Sequence, residues 1–169
     1  MEQNENNKIE FKDKLFKFYN SHKLKIYLFS CIIIISIITV FVLKISKEKA
    51  NTITAEKYIK AGLLLSSGKN VKSKNLYNEI IFRKNKFYSI LSLNTILEKN
   101  LETDKTKVLN YFEIIEGIKM SSENKDIVTF KKALYLIKIS EGEAGTELLK
   151  NLIDKESQLK DLAKEIINE

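Results

Sequence analysis

His22 is the one histidine and Cys31 the one cysteine in a chain of 169 residues. General acid–base catalysis needs an imidazole, or carboxylates with tuned environments, within hydrogen-bond reach of the proton that moves. His22 has no cysteine or carboxylate cluster beside it in the sequence, and it lies just ahead of a long apolar run. It reads as a polar residue at an interface rather than a base. Cys31 sits inside that run. A lone thiol closes no intrachain disulfide and builds no thiolate metal cluster, so it reads as a small apolar residue. Zinc sites are excluded by the number of available ligands. The segment LSSGKN at 65–70 looks like the tail of a phosphate loop but lacks the earlier glycine that the loop requires. The carboxylates alternate with lysines, as on solvated helix faces, and no pair stands apart for glycoside or peptide chemistry. The residues predict no enzyme, no cofactor and no metal.

The formal charge is +7 and the isoelectric point about 9.3. A nucleic-acid partner is nonetheless not expected. Nearly all the cations are lysines and Arg83 is the only arginine, whereas base and phosphate recognition draws on the planar guanidinium fork.

What must position any functional surface is helical. There is no proline and there are only 5 glycines, so the turn residues that punctuate strand-rich folds are missing. Residues 26–43, IYLFSCIIIISIITVFVL, form 18 positions without a charge. As a helix they span roughly 27 Å, close to the hydrocarbon thickness of a bilayer. Lys23, Lys25 and Lys44 flank the run and Tyr27 sits near its start, as interfacial anchors do, and Phe18 and Tyr19 precede it. The leader is too long for a signal peptide, and the exit LKISKEK has no small-residue cleavage site. Six lysines precede the span and five follow closely, so charge bias does not choose an orientation. In the leader, Ile9, Phe11, Leu15, Phe18 and Tyr19 share a helical face. That pattern fits either an amphipathic helix on the membrane surface or a polar tail with a few aromatics.

Beyond the span the apolar spacing predicts helices over 52–67, 71–84, 87–100, 104–119, 124–141, 143–154 and 157–168, with Asp104 and Asn124 as N-caps and Glu143 opening a helix. LYNEII at 76–81 matches NYFEII at 110–115 at an offset of 34 residues. A third copy, ELLKNLI at 147–153, sets Leu152 against Ile114 at an offset of 38. About 34 residues per helix pair is the tetratricopeptide period, in which stacked hairpins share a core that no single hairpin could bury. The Trp, Gly and Tyr landmarks of that repeat are absent, and an ordinary helical bundle with matched hairpins is the rival reading. The expected fold is all-α: leader 1–23, transmembrane helix 24–45, and a degenerate tetratricopeptide-like domain over 46–169. Tyr77, Tyr88, Tyr111 and Tyr135 are the candidates for a groove that binds partner proteins, or else they close the core with their hydroxyls at its rim.

This order of parts resembles the YfgM-type ancillary subunit of the bacterial Sec translocon and related small single-pass proteins. The run Lys17-Phe18-Tyr19-Asn20-Ser21-His22-Lys23 is similar to the family's basic, double-aromatic, polar leader before the span. FYSILSL at 87–93 is similar to a helix that opens with an aromatic and small residues. The resemblance implies an inner-membrane protein with a cytoplasmic N-terminus and a periplasmic helical domain. It also implies partners among translocon subunits and the periplasmic chaperones that receive emerging chains. This sequence is shorter than the family's pattern, which leaves the partner open. The family has no catalytic residues to carry over.

Overall fold

The computed structural model describes the backbone of residues 2–168 and the side chains of residues 14–168 except those of Leu15, Phe18 and Ile26. The described backbone is all-helical and holds α1 (Glu2–Ser66), α2 (Asn70–Phe82), α3 (Tyr88–Glu98), α4 (Lys105–Glu116), α5 (Ser122–Lys138), α6 (Gly142–Asp154) and α7 (Lys160–Asn168). The chain forms two compact units, Met1–Ala50 and Asn51–Glu169.

α1 runs for 65 residues without a break. The sequence predicted three separate pieces here, and the difference has a plain cause. No glycine precedes Gly62 and the chain has no proline, so nothing interrupts the hydrogen-bond ladder between the apolar run and the helix that follows it. Within the first unit, every side chain from residue 27 to 43 is exposed, and α1 is long and apolar enough to cross a membrane. A helix that is apolar all round and unburied is stable in lipid, where its backbone groups satisfy one another. Of the amphipathic leader face, Ile9, Phe11, Leu15 and Phe18 lie outside the described side chains.

The second unit opens with residues 51–66 of α1. One core cluster joins Ala61 of α1, Tyr77, Ile80 and Ile81 of α2, Leu93 and Ile96 of α3, and Val108, Tyr111, Phe112 and Ile115 of α4. Val128 of α5 closes it. A second cluster is built from Ala133 of α5, Leu149 and Leu152 of α6, and Ala163 of α7. α5 therefore serves both clusters, with Val128 and Ala133 on different stretches of one helix. Small residues let the helices approach. Ser73 Oγ donates to the Ala61 carbonyl at 2.8 Å, and Ser89 Oγ donates to the Ile80 carbonyl at 3.1 Å. In both cases a buried hydroxyl is satisfied by a neighbouring backbone.

Helix ends explain why the loops stay short. Gly68, Lys84, Asn100, Ser140 and Glu156 all take positive φ, between 48° and 72°. After four of these helices the next amide returns to the last turn, with Lys69 N donating to Leu64 O, Leu101 N to Ile96 O, Glu141 N to Leu136 O and Ser157 N to Leu152 O at 2.9–3.0 Å. That is the Schellman termination, which favours glycine at the left-handed residue. Here only Gly68 is glycine. Ser140, at φ 70°, has a Cβ that resists this conformation by about 1 kcal/mol. Ser140→Gly is expected to raise stability by about that amount, read as a higher urea midpoint at unchanged slope.

Asp104 caps α4 as the sequence predicts, accepting from Thr106 N at 3.0 Å and Lys107 N at 3.3 Å. The cap of α5 is Ser121, which accepts from Asn124 N at 3.4 Å. Asn124, expected there, lies inside the first turn. α6 opens at Gly142, one residue before Glu143.

Candidate partner surface

The C-terminal turn of α3, the loop after it and the outer face of α5 enclose an open cleft of about 250 Å³. Leu97, Leu134 and Tyr135 form its apolar floor, Glu98, Asn100 and Glu102 one wall, and Lys131 and Lys138 the other. Helix periodicity brings Lys131, Leu134, Tyr135 and Lys138 together, since positions three, four and seven apart share a face.

Glu102 is buried and shapes the acidic wall. It accepts from Thr103 N at 3.1 Å and Asp104 N at 3.2 Å, and Lys74 Nζ of α2 reaches it at 3.3 Å. Burial alone would raise this carboxyl. The Asp104 amide and the Lys74 ammonium outweigh that cost and hold it below the usual range. Tyr135 is half-buried, with its ring 5.9 Å from that of Phe112. Burial first, then the negative charges of Asp104, Glu141 and Glu102, push its phenol up, so it stays a neutral donor.

No protein-family model, no curated protein and no solved structure matches this chain. The chemistry of the cleft is therefore read from its own residues. An apolar floor between an acidic and a basic wall suits an amphipathic peptide segment, with side chains seated on Tyr135 and Leu134 and charges paired at the rim. Among the described residues, no three His, Cys, Asp or Glu side chains gather where a metal ion could sit.

The four tyrosines named from the sequence do not share this surface. Tyr77 and Tyr111 are only 2% and 3% exposed. They belong to the inward stripes Tyr77–Ile80–Ile81 and Tyr111–Phe112–Ile115, where the ring fills volume between helices and offers a partner no contact area. Tyr88 is half-buried against Tyr58, ring centres 5.6 Å apart. Tyr135 alone of the four lines the cleft. Leu97, Glu98, Glu102, Lys131, Leu134 and Lys138 carry no signal by type, because Leu, Glu and Lys are the ordinary residues of helix surfaces. Only the cleft that the end of α3 and the loop after it form with α5 singles them out.

Of the membrane-interface candidates, Tyr19, Lys23, Lys25, Tyr27 and Lys44 are exposed, while the side chain of Phe18 lies outside the described residues. Tyr19 and Tyr27 share a hydrogen bond between their hydroxyls at 2.6 Å. Cys31 is a free, exposed thiol on the apolar stretch of α1.

Proposed function

We propose that this protein is a single-pass membrane protein whose helical unit binds other proteins as an accessory to Sec-dependent export or periplasmic chaperoning. The observation that carries this reading is the α3–α5 cleft, a concave apolar floor with charged walls, on a chain that also holds a membrane-length apolar helix. In the proposed arrangement the chain sits in a bacterial inner membrane with its N-terminus in the cytoplasm and the unit Asn51–Glu169 in the periplasm. The helix pairs are read as degenerate tetratricopeptide-like repeats. Supporting that, Tyr77 and Tyr111 lie 34 residues apart and are both buried, as are Ile81 and Ile115. α2 also contacts both α3 and α4, as stacked hairpins require.

Affinity capture of the detergent-solubilised full chain tests the reading. Channel or chaperone components are expected to be retained by the wild-type chain and reduced about five- to thirtyfold by Leu134→Asp or by Lys131→Glu with Lys138→Glu, since losing a central interface contact costs about 1–2 kcal/mol. Far-UV circular dichroism checks that the variants remain folded. Recovery of no translocon or chaperone component by the wild type would end the export reading. Protease digestion of intact spheroplasts tests the orientation, with cleavage of the helical unit expected from outside.

A second reading, a scaffold of another cell-envelope complex such as a division or tethering assembly, is favoured by a different feature. Ile59 and Leu63 stand exposed one turn apart on α1 within the second unit, an apolar pair suited to self-association. Concentration-dependent dimerisation of the full chain in detergent, abolished by Leu63→Glu, would favour it. A monomer at all concentrations would remove it.

A further inference from the structure

The turn between α2 and α3 gathers two open aromatic rings and a run of cations. Phe82 and Phe87 are 57% and 61% exposed. Arg83, Lys84 and Lys86 stand between them, all exposed. No acidic residue occurs anywhere from 80 to 97. Arg83 Nη2 lies 3.0 Å from Glu79 Oε1, a carboxylate that Lys57 also pairs with. Glu79 is thus already neutralised from α1, and Lys84 and Lys86 keep their charge for an outside partner. Each ring meets one tyrosine edge-on, Phe82 with Tyr111 and Phe87 with Tyr88, and the exposed remainder forfeits the free energy of burial. The combination matches the headgroup layer of a bilayer, where aromatic rings settle and each lysine is drawn to anionic lipid.

The turn is also well placed on the chain. Asn85 Nδ2 donates to Asn51 Oδ1 at 2.7 Å, while Asn85 Oδ1 accepts from the amides of Phe87 and Tyr88 at 3.0 Å each. These bonds order the turn and fasten it to the first residue of the second unit. Asn51 comes eight residues after Leu43, the last position of the apolar run. A stretch of that length reaches at most about 29 Å however it is arranged. Chain length therefore limits how far the turn can lie from the surface of any bilayer that the apolar run crosses.

We infer that the α2–α3 turn docks on an anionic bilayer surface, with the Phe82 and Phe87 rings at headgroup depth and Lys84 and Lys86 against lipid phosphates. The inference rests on the reading of α1 as membrane-crossing. It adds a second, electrostatic attachment, and with it a fixed face of the helical unit toward the membrane.

The chain contains no tryptophan, so Phe87→Trp places a single reporter on the turn of the full chain. Reconstituted in nanodiscs of phosphatidylcholine with phosphatidylglycerol, its emission is expected to shift to the blue and to be quenched by lipids brominated on their acyl chains. In phosphatidylcholine alone the effect should be much weaker. Lys84→Glu with Lys86→Glu should lower the docked fraction by more than about tenfold, at about fivefold for each cation lost. Salt at about 1 M should do the same, since the Debye length there is about 3 Å. Phe41→Trp is the control on the apolar run and should be quenched in either lipid. Quenching of the control with none at position 87 in anionic discs would overturn the docking while leaving the anchor. No quenching at either position would remove both. Quenching at position 87 that survives high salt and charge reversal would overturn the electrostatic attachment.

Discussion

Gly145→Ala is expected to destabilise the helical unit by about 2 kcal/mol, within the range for overpacking a well-filled contact. The usual effect has the opposite sign, since an exposed helical glycine gains close to 1 kcal/mol on becoming alanine. The inversion comes from how closely α6 approaches α5. A Cβ on Gly145 would stand 2.7 Å from the Ala133 carbonyl oxygen and 2.7 Å from Ile137 Cγ1, with the Ile137 amide nitrogen at 3.2 Å. Two of those three atoms are backbone, so the helices must part to make room. Parting them loosens Ala133, Leu149 and Leu152 together, because these residues share one cluster. Gly142, in the same helix, has open space around its Cα. Gly142→Ala is therefore the matched control and should raise stability by several tenths of a kcal/mol. Urea titration of both variants in the full chain, with amide exchange in α5 and α6, checks the pair. Equal and stabilising effects at both positions would show that the α5–α6 approach is not tight.

Asp126→Ala is expected to cost about 2 kcal/mol, the penalty for leaving the buried Ser157 hydroxyl without its charge-assisted partner. Asp126, near the start of α5, is buried, and its carboxylate ties that helix to the α6–α7 turn. Ser157 Oγ donates to Oδ2 at 2.5 Å, and Lys155 Nζ lies 2.5 Å from Oδ1. Burial would raise this carboxyl, but the Lys155 ammonium and Ser157 hydroxyl outweigh burial and hold it below its ordinary value of 3.8. A carboxyl depressed in the folded state contributes stability above its unfolded pKa and loses it as pH falls through the folded value. Glu102 is depressed from 4.5 in the same sense. Stability should therefore begin to fall as pH drops through about 4.5 and decline further below 3.8. Asp126→Asn removes one of these titrations and should flatten the acid limb of a stability–pH curve. An unchanged slope would mean that the carboxylate is not held in its ionised form.

Which parts of the fold could be read in advance follows from how local the governing forces are. Seven helical stretches after the span were expected. Six of them appear as α2 to α7, and the first is the end of α1. The missed ends of α2 and α5 share a cause. Lys84 and Ser140 follow these helices in a left-handed conformation that their side chains do not advertise. Ser121 rather than Asn124 caps α5 because both can cap, and which one does so depends on where the preceding chain enters. The separation of α1 into three pieces assumed that changes of composition are changes of structure. Without glycine or proline, a helix passes from an apolar run to a charged one unbroken.

The candidate surface was harder to read than the fold. Tyr135 was named beforehand and lines the cleft. Tyr77 and Tyr111 were named for the same chemical virtue and lie in the core. Residue type could not separate them, because tyrosine fills a core and dresses a surface with the same ring. The sequence by itself determined the all-helical class, the apolar length of α1 and the inward stripes of α2 and α4, since each follows from hydrogen-bond geometry and side-chain period along one segment. Only the tertiary structure decided that Leu97 and Leu134 share a floor, that Gly145 sits against the α5 backbone and that Asn85 is fastened to Asn51. Those facts depend on which helices meet and how closely, and spacing along a single helix carries no information about its neighbour.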